Sequence, residues 1–211
     1  MHVSGCILDV EITGRLRDAC RARGTTMNGA LCAAVALSGA AVQKKDNFKI
    51  ATAINLRKVV GSGEDECGLL AGFGTVTIAA PRKRDFWDMA HQTIVAIQPM
   101  RTLAGVRDSI RVLDTLIPPW ADSALAVGTI GSIRYDAVVT NLGELAIPLK
   151  AGDLKLTAFW GPAVQGRFKN EIVVGAASLA GQLHLVQSSP RHIESILFGV
   201  RHNLLAALAD L

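Results

Sequence analysis

Only 19% of the 211 residues are charged, while half are hydrophobic. A chain so poor in charge does not stay disordered in water, and it is long enough to bury a core as one ordinary domain or one large lobe. Part of its surface should be apolar enough to need a partner. Cysteine is also sparse. Cys6, Cys20, Cys32 and Cys67 never fall in the C-x-x-C spacing of a zinc site, and the first three sit in apolar stretches. They read as core thiols of a reducing compartment. The longest apolar run, Ala30 to Val42, is broken by Ser38 and Gly39 and is too short to span a bilayer. No basic stretch followed by an apolar segment and cleavage site opens the chain, so a cytoplasmic protein with no transmembrane segment is expected.

Several catalytic signatures are missing. Gly72-Phe73-Gly74 is too short for a phosphate-binding loop, which removes the kinase and dehydrogenase readings. There is no G-x-S-x-G elbow and no H-E-x-x-H, and the one carboxylate cluster, Glu64-Asp65-Glu66, lies in a Gly/Ser-rich loop. The net charge of +4 is modest. Its basic residues are scattered among acids except for Arg15, Arg17, Arg21 and Arg23 on the first helix and Arg82-Lys83-Arg84. Such spacing makes solvated faces rather than a nucleic-acid stripe, although a guanidinium fork among them suits a pantetheine or nucleotide phosphate.

The periodicity that is present alternates between helix and strand. Val10 to Arg23 has Leu16, Ala19 and Cys20 on one face and is stopped by Gly24. Thr25 or Thr26 caps a second helix whose run from Ala30 to Leu37 is apolar nearly all round, which places it inside. Phe48, Ile50, Thr52, Ile54 and Leu56 alternate as in a strand that ends at Arg57, and Phe73 to Ala79 reads as another. Asp85 caps a helix through about Met100, and an amphipathic helix follows from Leu103 to Leu116 before Pro118-Pro119. The remainder reads mainly as strand: Asp136 to Thr140, Leu154 to Trp160, Ile172 to Ser178 and Leu183 to Gln187, with a closing helix from Ile193 to Leu208. This closing helix should pack through Ile196, Leu197, Val200 and Leu204. Helices mixed among unevenly spaced strands predict an α+β fold, a mixed β-sheet covered by helices.

None of the five histidines has a convincing catalytic setting. His91 and His202 lie on amphipathic helices with no orienting partner to name, so an unrelated α+β enzyme built on either stays only as a third reading. His184 alternates with Leu183 and Leu185 and is expected on the outer face of its strand.

Four stretches carry a family resemblance through their joint order. They are Thr25-Thr26-Met27-Asn28-Gly29-Ala30 with the apolar residues after it, then Ile54-Asn55-Leu56-Arg57, then Cys67-Gly68-Leu69-Leu70-Ala71-Gly72-Phe73, and finally Val138-Val139-Thr140-Asn141-Leu142-Gly143. Over about residues 10 to 200 the chain resembles the C-terminal half of condensation-type, chloramphenicol acetyltransferase-like acyltransferases. The alcohol O-acetyltransferase and phthiocerol dimycocerosyl transferase-like members look most similar. The resemblance implies a single lobe, residues 1 to 211, of a two-lobed enzyme that moves an acyl group from a CoA or carrier-protein thioester to a hydroxyl or amine.

In that family an H-x-x-x-D motif in the N-terminal half supplies the base. Here the fourth residue after each histidine is Cys6, Val95, Ser188, Ile196 or Ala206, so the motif is absent. The catalytic residues are therefore expected in the missing lobe, and the chain alone is expected to be inactive. The match places Arg57 at the interface with that lobe, either exposed or paired with something other than its aspartate. It places Asn55, Asn141 and Gly143 along the substrate tunnel, with the Asn141 amide as a donor. Asn141 before Leu-Gly also reads as an ordinary strand-ending turn. No metal and no bound cofactor are implied, only an acyl-CoA or acyl carrier protein as donor. The partners implied are an N-terminal acyltransferase lobe or a self-associating copy, together with a small-molecule acceptor. Phe159-Trp160-Gly161 is a fragment of the family's D-F-G-W-G element and carries no CoA specificity. The other reading is a non-catalytic binding or interaction module that uses the lobe's apolar face.

Overall fold

The computed structural model describes residues 1–63, 66–79, 81–164, 171–190 and 192–209. Glu64 and Asp65 of the acidic loop lie outside them. The chain begins with a strand that periodicity did not reveal, β1 (His2–Leu8), and continues through α1 (Val10–Ala22), α2 (Met27–Gln43), β2 (Asn47–Asn55), the single turn α3 (Arg57–Val60), β3 (Ala71–Ala79) and α4 (Phe86–Ile97). Then come α5 (Leu103–Leu116), α6 (Ser123–Ser132), β4 (Ala137–Glu144), a short hairpin β5 (Lys150–Ala151) and β6 (Leu154–Lys155), β7 (Ile172–Leu179), β8 (Gln182–Ser189) and α7 (Leu197–Ala209).

Six strands form one mixed sheet in the order β1-β8-β7-β4-β2-β3. Its central strands β7, β4 and β2 are mutually parallel, and the flanking pairs β1·β8, β8·β7 and β2·β3 are antiparallel. This is the mixed, helix-covered α+β sheet expected from the sequence.

One face of the sheet carries the core. Phe48, Ile50, Thr52 and Ile54 of β2 point into it, beside Val76 and Ile78 of β3, Ala137 and Val139 of β4, and Ile172 and Val174 of β7. Helix α2 lies across this face. Thr26 caps it by accepting from the Gly29 N–H, and its residues are buried almost all round because the sheet, α4 and α7 surround it. Gly39 is required there, since a Cβ would run into the Phe48 ring. Helix α1 starts at Asp9, which accepts from the Ile12 N–H, and its buried Thr13 hydroxyl donates to the Leu8 carbonyl and accepts from the Leu183 N–H.

Four expectations are corrected. His184 is buried at 1% exposure rather than set on an outer face, because a second layer covers its side of β8. Leu154 to Trp160 is strand only at Leu154–Lys155 and continues as an extended strap. The stretch after Pro119 contains helix α6, not strand, with Asp122 as its cap. The closing helix starts at Leu197, although Ile196, Leu197, Val200 and Leu204 are all buried as their spacing predicts. Cys20 and Cys32 are core thiols, Cys6 is half-buried and Cys67 is exposed.

Candidate functional site at the ends of the parallel strands

In sheets with parallel strands the carboxyl ends of adjacent strands make the natural crevice for a ligand. Here β2 and β4 run parallel, the ladder being formed by Ile50, Ala51 and Thr52 against Ala137, Val138 and Val139. Asn55 and Arg57 follow from β2, and Asn141 and Gly143 from β4, so the four expected site residues gather at one edge of the sheet. The N-terminal turn of α2 reaches the same edge, because Asn28 Nδ2 donates to the Thr52 hydroxyl at 3.0 Å.

The two asparagines use one device. Asn55 Oδ1 accepts from the Arg57 N–H at 3.0 Å, and Asn141 Oδ1 accepts from the Gly143 N–H at 2.9 Å. A backbone N–H demands an acceptor, which fixes the orientation of each amide and turns its NH2 group outward as the donor. Gly143, with φ +76°, supplies the left-handed residue that this turn needs. Strand alternation sets Asn141 on the helix-covered side with Val139 and Val174, and Asn55 on the opposite, open side. The amides therefore flank the edge from two faces and do not converge on one point.

Arg57 does not extend the strand; it opens the turn α3. Its Nη1 donates to the carbonyls of Gly63 (2.9 Å) and Glu66 (2.7 Å) and so clasps the loop that follows. Ser62 donates to the Glu66 carboxylate at 2.6 Å. That bond, with the Gly63 backbone bond and the nearby Arg57 charge, holds the Glu66 carboxyl below its ordinary value. Arg57 is thus half-buried, with its Nη1 bonded to backbone oxygen rather than to a carboxylate.

No histidine sits on β2, β4 or the turns that follow them: His2 is on β1, His91 on α4, His184 on β8, His202 on α7, and His192 precedes α7. The edge has donors to hold and orient an oxygen, but among the described residues no imidazole to take a proton. Sequence reasoning missed the Asn28–Thr52 pair, whose one signal is a polar residue in each of two otherwise apolar runs.

The sheet face opposite the helices is bare over this end. Phe73 (61% exposed) and Thr75 project from it on β3, Leu142 is exposed two strands away on β4, and Leu69 lies exposed in the loop before β3. Helices α5 and α6 contain no buried residue, Ile110, Leu113, Val127 and Ile130 are exposed along them, and Trp120 is exposed in the connection between them. Exposed apolar side chains gathered in this way mark an interaction surface.

Residues 1–102, just under half of the chain, match the family described as the phthiocerol/phthiodiolone dimycocerosyl transferase C-terminus. No curated protein sequence matches the chain. Solved structures share its fold. Polyketide synthase associated protein 5 from Mycobacterium tuberculosis is similar with a TM-score of 0.67 at 16% identity, over 99% of this chain and 51% of that one. The epimerization domain from the third module of tyrocidine synthetase B gives 0.65 at 15%, over 99% and 47%. Trichothecene 15-O-acetyltransferase from Fusarium sporotrichioides gives 0.65 at 13%, over 98% and 46%. The chain spans about half the length of these proteins.

Proposed function

From the premise that this chain has the fold of a C-terminal condensation-type acyltransferase lobe, we propose that it is one half of an acyl-transfer site whose general base belongs to an N-terminal half. The acyl group passes from a CoA or carrier-protein thioester to a hydroxyl or amine. The observation that carries this reading is the anchored amide of Asn141 at the carboxyl end of β4, beside the parallel strand β2, with its acceptor oxygen already used by the Gly143 N–H and its NH2 group left to donate, while Asn55 repeats the device on the opposite face. Such preorganised donors stabilise oxyanion charge without reorganisation during the reaction. The base would take the proton of the attacking hydroxyl or amine, and the thiol of the donor would leave.

The bare face around Phe73 and Leu142, and the α5–α6 pair, support an apolar surface that the other half covers. Arg57 lies at the rim of that surface, where it can meet an aspartate of the arriving lobe. Co-expression of the chain with a separate lobe that carries H-x-x-x-D tests this. Arg57→Ala should weaken association by about 3–5 kcal/mol if the aspartate is buried without its partner, and Arg57→Lys should restore only part of it. Association unaltered by both substitutions would remove Arg57 from the interface.

A further inference from the structure

The sheet face that is bare over β3, β2 and β4 is covered over β7, β8 and β1 by a strap, residues 159–164. The strap lies so close that two strand positions must be glycine. A Cβ at Gly5 would come within 2.5 Å of the Trp160 ring, and one at Gly175 would collide with the Pro162 carbonyl. Ser188 Oγ donates to the Val164 carbonyl at 2.6 Å and fastens the far end. Beneath the strap is His184. Its ring meets that of Trp160 edge to face at a centroid separation of 5.6 Å, and neither ring nitrogen has a hydrogen-bond partner among the described residues.

A buried imidazole with two unused nitrogens is rare enough to need a reason. The neighbours on its face offer none. They are Val3, Gly5 and Ile7 of β1, Val173, Gly175 and Ala177 of β7, and Val186 and Ser188 of β8. With the described residues of the strap, they put no titratable or charged side chain against the ring. A neutral imidazole tolerates this site, but an imidazolium has two N–H donors that must reach water or an acceptor. The way to water is past Trp160, itself 51% exposed.

We propose that residues 159–164 are an acid-released clasp with His184 as its trigger: protonation of the imidazole displaces Trp160 and bares the face of β1, β8 and β7, joining it to the open face of β4, β2 and β3. Burial holds the His184 pKa below its ordinary 6.5. With a folded value below the unfolded one, the clasped state has its full stability above the ordinary histidine range, and loses it as the pH falls from there toward the lowered value. This inference rests on the strap and is independent of the acyl-transfer reading.

The test is fluorine NMR of the full chain labelled with 5-fluorotryptophan, followed from about pH 8 to about pH 4.5, the span over which a buried histidine titrates. Trp160 is assigned through Trp160→Phe. The expected result is a single-proton step that carries the Trp160 resonance to a solvent-exposed position while those of Trp87 and Trp120 stay in place. The step should vanish in His184→Leu, or in His184→Phe if the first variant does not fold. Gly5→Ala should show the released position at every pH. A wild-type Trp160 signal that never moves, a step that persists without His184, or a Trp87 signal that moves together with Trp160 would each overturn the clasp.

Discussion

Asn28 Nδ2, in the first turn of α2, donates to the hydroxyl of Thr52 at 3.0 Å, and this bond fastens the helix to β2 just before the edge that carries Asn55 and Asn141. Thr52 is fully buried, and the Asn28 amide is the polar partner of its hydroxyl beside the weaker Cys32 thiol. Asn28→Ala should lower stability by about 1 kcal/mol, a typical net value for one such bond. Urea unfolding would show it as a lower midpoint at unchanged slope. A midpoint equal to that of the wild type would mean that Thr52 is satisfied without Asn28.

Arg57 acts in the isolated chain through the carbonyls of Gly63 and Glu66. Arg57→Ala should speed amide hydrogen exchange in residues 66–70 while global stability changes by no more than about 0.5 kcal/mol, as for a partly exposed side chain outside the core. Arg57→Lys should recover part of the protection, because an ammonium lacks the rigid fork. Exchange that is the same in all three proteins would show that the loop holds itself.

Burial is the main cause that separates the thiols. It raises the Cys20 pKa to about 11 and that of Cys32 to about 12, the latter despite a hydrogen bond with Thr52 that acts the other way. An aromatic disulfide reagent should label Cys67 first and Cys6 slowly, and reach Cys20 and Cys32 only on unfolding, since the thiolate is the reactive form. The folded values lie above the ordinary thiol value of 9.0, so the stability these burials give is complete below it and is lost as the pH climbs toward 11 and 12. Labelling of all four at one rate in the native protein would contradict the buried positions.

The parts of the fold that were legible in the sequence are those in which one periodicity acts alone. Helix α2 was readable because an all-round apolar run leaves only a central position, and β2 because Phe48, Ile50, Thr52 and Ile54 alternate. β1 was not, since His2, Ser4 and Gly5 give no alternation and Gly5 is small to admit Trp160, a residue far away in sequence. His184 was misplaced for the same reason: alternation tells which side of a strand a residue takes, and only the strap decides that both sides are covered. Helix α6 is apolar with several small residues and packs against nothing in the core, so neither face nor flank announced it. The grouping of Asn55, Arg57, Asn141 and Gly143 at one edge follows from the parallel pairing of β2 and β4, which no local signal contains. The shared turn of the two asparagines was half-visible, in the Asn-Leu-Gly of β4.

Deletion of the Asn141 amide tests whether that edge serves chemistry or only ends a strand. Asn141→Asp keeps an oxygen for the Gly143 N–H but loses the NH2 donor, so the turn should survive. In the reconstituted two-lobe protein this substitution should lower kcat on the order of a hundredfold, the typical loss of one oxyanion donor. The melting temperature should stay near that of the parent. Equal activity at equal stability would reduce Asn141 to a turn former.

The most direct measurement is thioester turnover by this chain, alone and together with an N-terminal lobe that carries H-x-x-x-D. The account predicts no turnover by the chain alone, because donors at the ends of β2 and β4 cannot replace a general base worth about a hundredfold or more, and release of free thiol with acyl transfer once both lobes are present. Turnover by the 211 residues alone, lost on substitution of one of their own histidines, would contradict it.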